Sequence, residues 1–97
     1  SMNHYETVFI LTPVLSDSQV EEAVRKFEDL LKEHNCEIVA KENWGLKKLA
    51  YPIRKMNEGF YIVVEFKAEA ELPKELDRRL RIADACIRHM IINKDEK

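Results

Sequence analysis

Glycine is scarce in this 97-residue chain, which has two, and so are cysteine (two), proline (three) and tryptophan (one). Each scarcity excludes something. Gly45 and Gly59 stand apart, so no glycine-rich loop brings successive backbone amides against a phosphate, and no G-x-S-x-G elbow presents a nucleophile. Cys36 and Cys86 belong to no C-x-x-C pair, which argues against a disulfide framework or a redox motif and places the chain in the cytosol. Apolar runs are strand-sized, far short of the roughly 20 residues that span a bilayer, so no membrane is expected. Ser1-Met2-Asn3-His4 is too polar for a signal peptide, and Ser1 ahead of Met2 reads as the remnant of a removed tag.

What is present is 45% hydrophobic and 35% charged, the composition of one globular domain over residues 1–97, with residues 94–97 expected as a short disordered tail. The net charge of −2 does not advertise nucleic acid, but its distribution is uneven. From Ser16 to His34 six acids face three bases, whereas from Ile38 to Met56 five bases (Lys41, Lys47, Lys48, Arg54, Lys55) face Glu42 alone. From Lys74 to Lys94 six bases face three acids.

Period-two and period-3.6 patterns order the elements. Tyr5 to Thr12 is β-branched and aromatic and stops at Pro13, which suits a strand. Ser16-Asp17-Ser18-Gln19 has the form of a capping box, and Val20, Val24, Phe27, Leu30 and Leu31 then recur at helical spacing, predicting a helix that ends near Asn35. Extended chain runs from Cys36 to Ile53, interrupted at Gly45, and Met56-Asn57-Glu58-Gly59 suits a hairpin turn. Phe60 to Lys67 is the strongest strand pattern. Leu72-Pro73 opens a second helix, and Cys86 to Ile92 makes a fourth strand. The order β-α-β-β-α-β predicts an α+β, ferredoxin-like split βαβ sandwich: a four-stranded antiparallel sheet with two helices on one face.

The other face is then bare. Alternation assigns Glu6, Val8 and Ile10 from the first strand and Tyr61, Val63 and Glu65 from the third to it, whereas the two faces of the fourth strand look alike. Catalysis finds little support there, because no cysteine has an obvious histidine partner and Thr12-Pro13-Val14-Leu15 lacks the anion loop of an acyl phosphate hydrolase. Cys86 and His89, three apart on a strand, point to opposite faces and would not converge on a metal, so neither metal nor cofactor is expected. Glu58-Gly59-Phe60-Tyr61-Ile62-Val63 matches the RNA-recognition-motif signature poorly: Glu58 replaces the base, and Tyr61 alone offers a ring for stacking. An apolar protein surface suits that face better. Lys47, Lys48, Arg54 and Lys55 exceed what protection of a sheet edge requires, and they form a phosphate-binding strip.

The stretch from Trp44 to Lys55, WGLKKLAYPIRK, resembles the signature of the bacterial small-subunit ribosomal protein six family. The likeness extends to Met2–Pro13, to Leu80-Arg81-Ile82 and to Ile87-Arg88-His89-Met90. That resemblance implies a non-catalytic protein of the small subunit that binds 16S ribosomal RNA in the central domain, or platform, as a heterodimer with ribosomal protein eighteen, and that is monomeric alone. RNA contacts are then expected at Lys47, Lys48, Arg54 and Lys55, with Arg79, Arg81 and Arg88 as further candidates, and partner contacts at Val8, Ile10, Tyr61 and Val63. Leu46 departs from the Arg or Lys usual in the family. Tyr51 and Trp44 could each stack on a base or pack within the fold, Tyr51 against the first helix. The competing reading is a stand-alone ferredoxin-like RNA-binding or ligand-sensing domain that dimerises through its open sheet.

Overall fold

In a computed structural model that describes residues 2–95, six elements follow one another: β1 (Asn3–Leu11), α1 (Asp17–Glu33), β2 (Glu37–Ile53), β3 (Met56–Ala68), α2 (Leu72–Ile82) and β4 (Cys86–Asn93). The strands form one antiparallel sheet in the order β2-β3-β1-β4, the expected ferredoxin-like arrangement. Ser1 and residues 96–97 lie outside the described residues. Lys94 and Asp95, the first two residues of the expected tail, are bound to the start of β1: the Lys94 amide donates to the His4 carbonyl and the His4 amide to the Asp95 carboxylate, both at 2.8 Å.

Local chemistry sets the helix ends. The Ser16 hydroxyl accepts from the Gln19 amide at 3.3 Å while the Ser16 amide donates to the Gln19 side chain at 2.8 Å, a complete capping box. At the other end Asn35 takes φ 60°, and the amides of Cys36 and Asn35 donate to the carbonyls of Leu31 and Lys32. That is a Schellman close, with asparagine tolerating the left-handed conformation that glycine usually supplies.

The core lies between the helices and one sheet face. Tyr5, Phe9 and Leu11 of β1 and Ile62, Val64 and Phe66 of β3 pack with Val20, Val24, Phe27, Leu30 and Leu31 of α1 and Leu72, Leu76 and Leu80 of α2. Thr7, fully buried among them, keeps a hydroxyl without a partner.

Two irregularities shape the other face. The two-residue turn falls at Arg54-Lys55 (φ 51° and 66°) rather than at Met56–Gly59, which belongs to β3. Paired positive φ values are those of a type I′ turn, whose twist matches the flanking strands, and that geometry wins over the turn-forming composition of Asn57-Glu58-Gly59. Gly59 serves instead as a point of close approach. A β-carbon there would collide with Ile10 Cγ2 and lie 3.0 Å from the Leu11 carbonyl oxygen. Gly59→Ala should therefore destabilise the fold by about 1–3 kcal/mol through overpacking, measured by urea unfolding. Combined with Ile10→Ala it should cost less than the sum of the two single changes; strict additivity would contradict the clash.

Candidate nucleic-acid interface

Register assigns the bare face row by row. Glu65, Glu6 and Ile92 form one row, Val63, Val8 and Met90 the next, and Tyr61, Ile10 and Arg88 the third. The face thus grades from acidic through apolar to aromatic and cationic. At roughly 7 Å per row the Glu6–Glu65 end stands about 14 Å from Arg88. That exceeds the Debye length of about 8 Å at physiological salt, so the carboxylates do little to repel a phosphate at the far end.

The β2–β3 hairpin crosses that far end. Between the pairs Lys48↔Glu58 and Ile53↔Met56, the four residues Leu49, Ala50, Tyr51 and Pro52 stand opposite Asn57 alone. An excess of this kind bends the strand and increases its twist. Its consequence is a contact between the two edges of the sheet: Arg88 Nη1 on β4 donates to the Tyr51 hydroxyl on β2, and the guanidinium lies 5.4 Å from the Tyr51 ring centroid. Two strands separate β2 from β4, a gap of roughly 14 Å that Tyr51 can bridge only by passing over the open face. Leu49, Tyr51 and Ile53 roof a cleft of about 180 Å³ whose floor is Val8, Ile10 and Tyr61. Tyr51 therefore does not pack on α1.

Partner-face candidates divide accordingly. Ile10 and Val63 are each only 6% exposed, already covered within this chain, while Val8 and Tyr61 are half-buried. Met90 and Ile92, at 52% and 40%, extend the exposed apolar strip beside Val8. They escaped sequence reading because β4 looks alike on both sides; only pairing with Val8 and Glu6 settles its orientation.

The basic candidates divide more sharply still. Among the described residues Lys47, Lys48, Arg54 and Lys55 have no carboxylate within ion-pair distance. All four side chains are exposed on the arm and its turn, and Lys47 sits with its amino group 5.7 Å from the Trp44 ring centroid. Among the described residues the Arg88 guanidinium has no carboxylate partner and bonds to Tyr51, and Arg54 is close enough to oppose the rise that burial imposes on the Cys86 thiol pKa. The arginines of the helical layer are spent internally. Arg79 pairs with Glu75 at 3.4 Å and Arg81 with Asp77 at 3.5 Å, on α2 and away from the hairpin; Lys41 crosses to Glu28 at 3.1 Å. A hydrogen bond shared with His89 at 2.7 Å, together with Arg81, holds the Asp77 carboxyl below its ordinary range. The structure thus brings Lys47, Lys48, Arg54, Lys55 and Arg88 to one end and leaves Arg79 and Arg81 out.

Similarity to known proteins identifies the family. The model of the family described as ribosomal protein S6 matches residues 4–93. This chain belongs to the ribosomal protein S6 family. It is 55% identical over 95 residues to the small ribosomal subunit protein bS6 of Parabacteroides distasonis, covering 98% of this chain and 80% of that one. With the bS6 protein of Clostridium acetobutylicum it is 48% identical over 92 residues, covering 95% and 97%. The crystal structure of the 30S ribosomal protein S6 of Thermotoga maritima superposes with a TM-score of 0.92 at 28% identity, covering 97% of this chain and 89% of that one. Family membership makes the chain a structural protein of the small ribosomal subunit and not an enzyme. No helix among the described residues is long and apolar enough to cross a membrane.

Within this S6-family fold the hairpin tip is held at a cost. Neither Arg54 nor Lys55 is a residue that favours positive φ, and each such placement costs on the order of 1 kcal/mol. Lys55→Gly should raise stability by about 1 kcal/mol in urea unfolding. Unchanged or lowered stability would show that the tip is not strained.

Proposed function

We propose that this S6-family protein binds 16S ribosomal RNA in the central domain, or platform, of the small subunit, as a heterodimer with ribosomal protein eighteen. The observation that carries the reading is the contrast in charge neutralisation: the helical arginines Arg25, Arg78, Arg79 and Arg81 are paired with this chain's own acids, whereas the clustered Lys47, Lys48, Arg54 and Lys55 have no ion pair among the described residues. Exposed unpaired cations along a bent arm suit phosphates, which neutralise charge without demanding a particular sequence. Weak overall acidity is compatible with an RNA particle when a basic partner supplies further neutralisation. The strip of Val8, Met90 and Ile92, bordered by Glu6 and Glu65, offers that partner an apolar seat with carboxylates beside it. Tyr61, beneath the arm, borders both regions.

Changing Lys47, Lys48, Arg54 and Lys55 together to alanine should weaken binding of the partner-bound chain to central-domain 16S RNA. It should also lower the slope of log affinity against log salt by about 3, four lost phosphate contacts at roughly 0.7–0.9 each. Arg79→Ala with Arg81→Ala should leave that slope where it was. Equal slopes for wild type and the fourfold variant would reject the strip. On the opposite part of the face, Val8→Asp should reduce partner association about 10-fold or more while leaving the circular dichroism spectrum unchanged, because a carboxylate would be buried in an apolar contact. Full association by a folded Val8→Asp protein would move the partner elsewhere.

A further inference from the structure

The hairpin's phosphate-binding cations account for attachment but leave one exposed feature unused. Trp44 is the chain's only tryptophan, and a local distortion of the backbone is devoted to placing it. Asn43 pairs with Ile62 and Gly45 with Tyr61, so Trp44 is the extra residue of a bulge on β2. Gly45 adopts φ 76°, and its amide donates to Asn43 Oδ1 at 2.8 Å. A β-carbon on Gly45 would meet nothing within 4 Å, so glycine is required there for its conformation and not for space. The bulge delivers the indole alongside the Tyr61 ring, with planes 11° apart and centroids 6.4 Å apart.

We propose that Trp44 is a stacking platform for an unpaired nucleobase of the bound RNA, which adds base contact to the phosphate contacts proposed above and rests on that reading. Three observations support the assignment. Trp44 remains 49% exposed although burying an indole is among the most favourable uses of apolar area a small fold has, so the ring is presented rather than packed. Its near-parallel companion Tyr61 lies beside it, and a neighbouring ring of matching tilt lowers the ordering cost of stacking a base there. Lys47 places its amino group 5.7 Å from the ring centroid, where the phosphate flanking a stacked nucleotide can neutralise it. That ammonium also decides between occupants. An apolar protein surface laid on the indole would bury Lys47 beside it without a counter-charge, whereas a nucleotide brings the ring and the anion together. Tyr61 alone would be a poor platform, being half-buried; the bulge adds the far more exposed indole of Trp44.

The test uses the partner-bound chain and central-domain 16S RNA, with 5-fluorotryptophan incorporated at the single tryptophan of this chain. Stacking predicts an upfield shift of the fluorine resonance when RNA is added to the heterodimer. It also predicts that Trp44→Leu weakens RNA binding roughly 5- to 100-fold with an unchanged salt slope, since no phosphate contact is lost, and that Trp44→Phe retains most of the affinity. Equal RNA affinity for wild type and Trp44→Leu would overturn the platform while leaving the lysine strip standing. A fluorine shift on adding the partner alone, with no further change on adding RNA, would assign the indole to the protein interface and equally overturn it. Should the fourfold lysine and arginine variant bind RNA as well as wild type, the phosphate reading itself fails, a result independent of the fluorine signal.

Discussion

Two helices can cover only one face of a four-stranded sheet, and the whole surface chemistry of this protein follows from that limit. α1 and α2 bury Phe9, Ile62, Val64 and Phe66, leaving Val8, Ile10, Tyr61 and Val63 on the reverse side with no layer of helices to shield them. The chain answers locally. Four residues standing opposite Asn57 alone bend the β2–β3 hairpin over one end of the bare face, and Arg88 clasps Tyr51 from the far edge. Ile10 is thereby closed off, while Val8, Met90 and Ile92 stay available at the uncovered end.

Electrostatics divide along the same line. On the helical layer, acids and bases three or four residues apart neutralise one another, as Glu75 does with Arg78 and Arg79. Such pairs on an exposed surface contribute little stability, and each paired arginine presents little net charge to a polyanion. On the hairpin Lys48 stands opposite Glu58 in register, yet among the described residues no carboxylate lies within ion-pair distance of Lys47, Lys48, Arg54 or Lys55. Net charge is therefore a poor guide to this protein's partners: acids outnumber bases from Ser16 to His34, whereas bases outnumber acids along the hairpin where the arm bends.

Much of this was legible in the residues. Capping at Ser16, proline at the start of α2 and the β-branched and aromatic make-up of β1 and β3 each have a local cause that tertiary context did not override, so the element order and the ferredoxin-like arrangement followed. The strip from Lys47 to Lys55 was legible as a run of bases. What could not be read was anything set by register. The turn moved to Arg54-Lys55 because strand twist favours paired positive φ, and no composition signal marks arginine and lysine for that conformation. Arg79 and Arg81 look like free bases until their i,i+4 partners are seen in place, and the orientation of β4 depends wholly on its neighbour. Gly45 hinted at a bulge, yet which side chain the bulge would expose emerged only with the pairing of Asn43 and Gly45.

The most direct test of the central claim, that one hairpin of this small fold holds the cations that meet RNA, is lysine-reactivity footprinting of the protein free and within assembled small subunits, read by mass spectrometry. The account predicts that Lys47, Lys48 and Lys55 lose reactivity to an acylating reagent on assembly while Lys26 and Lys32 of α1 keep theirs. Protection of the α1 lysines with the hairpin lysines still reactive would contradict it.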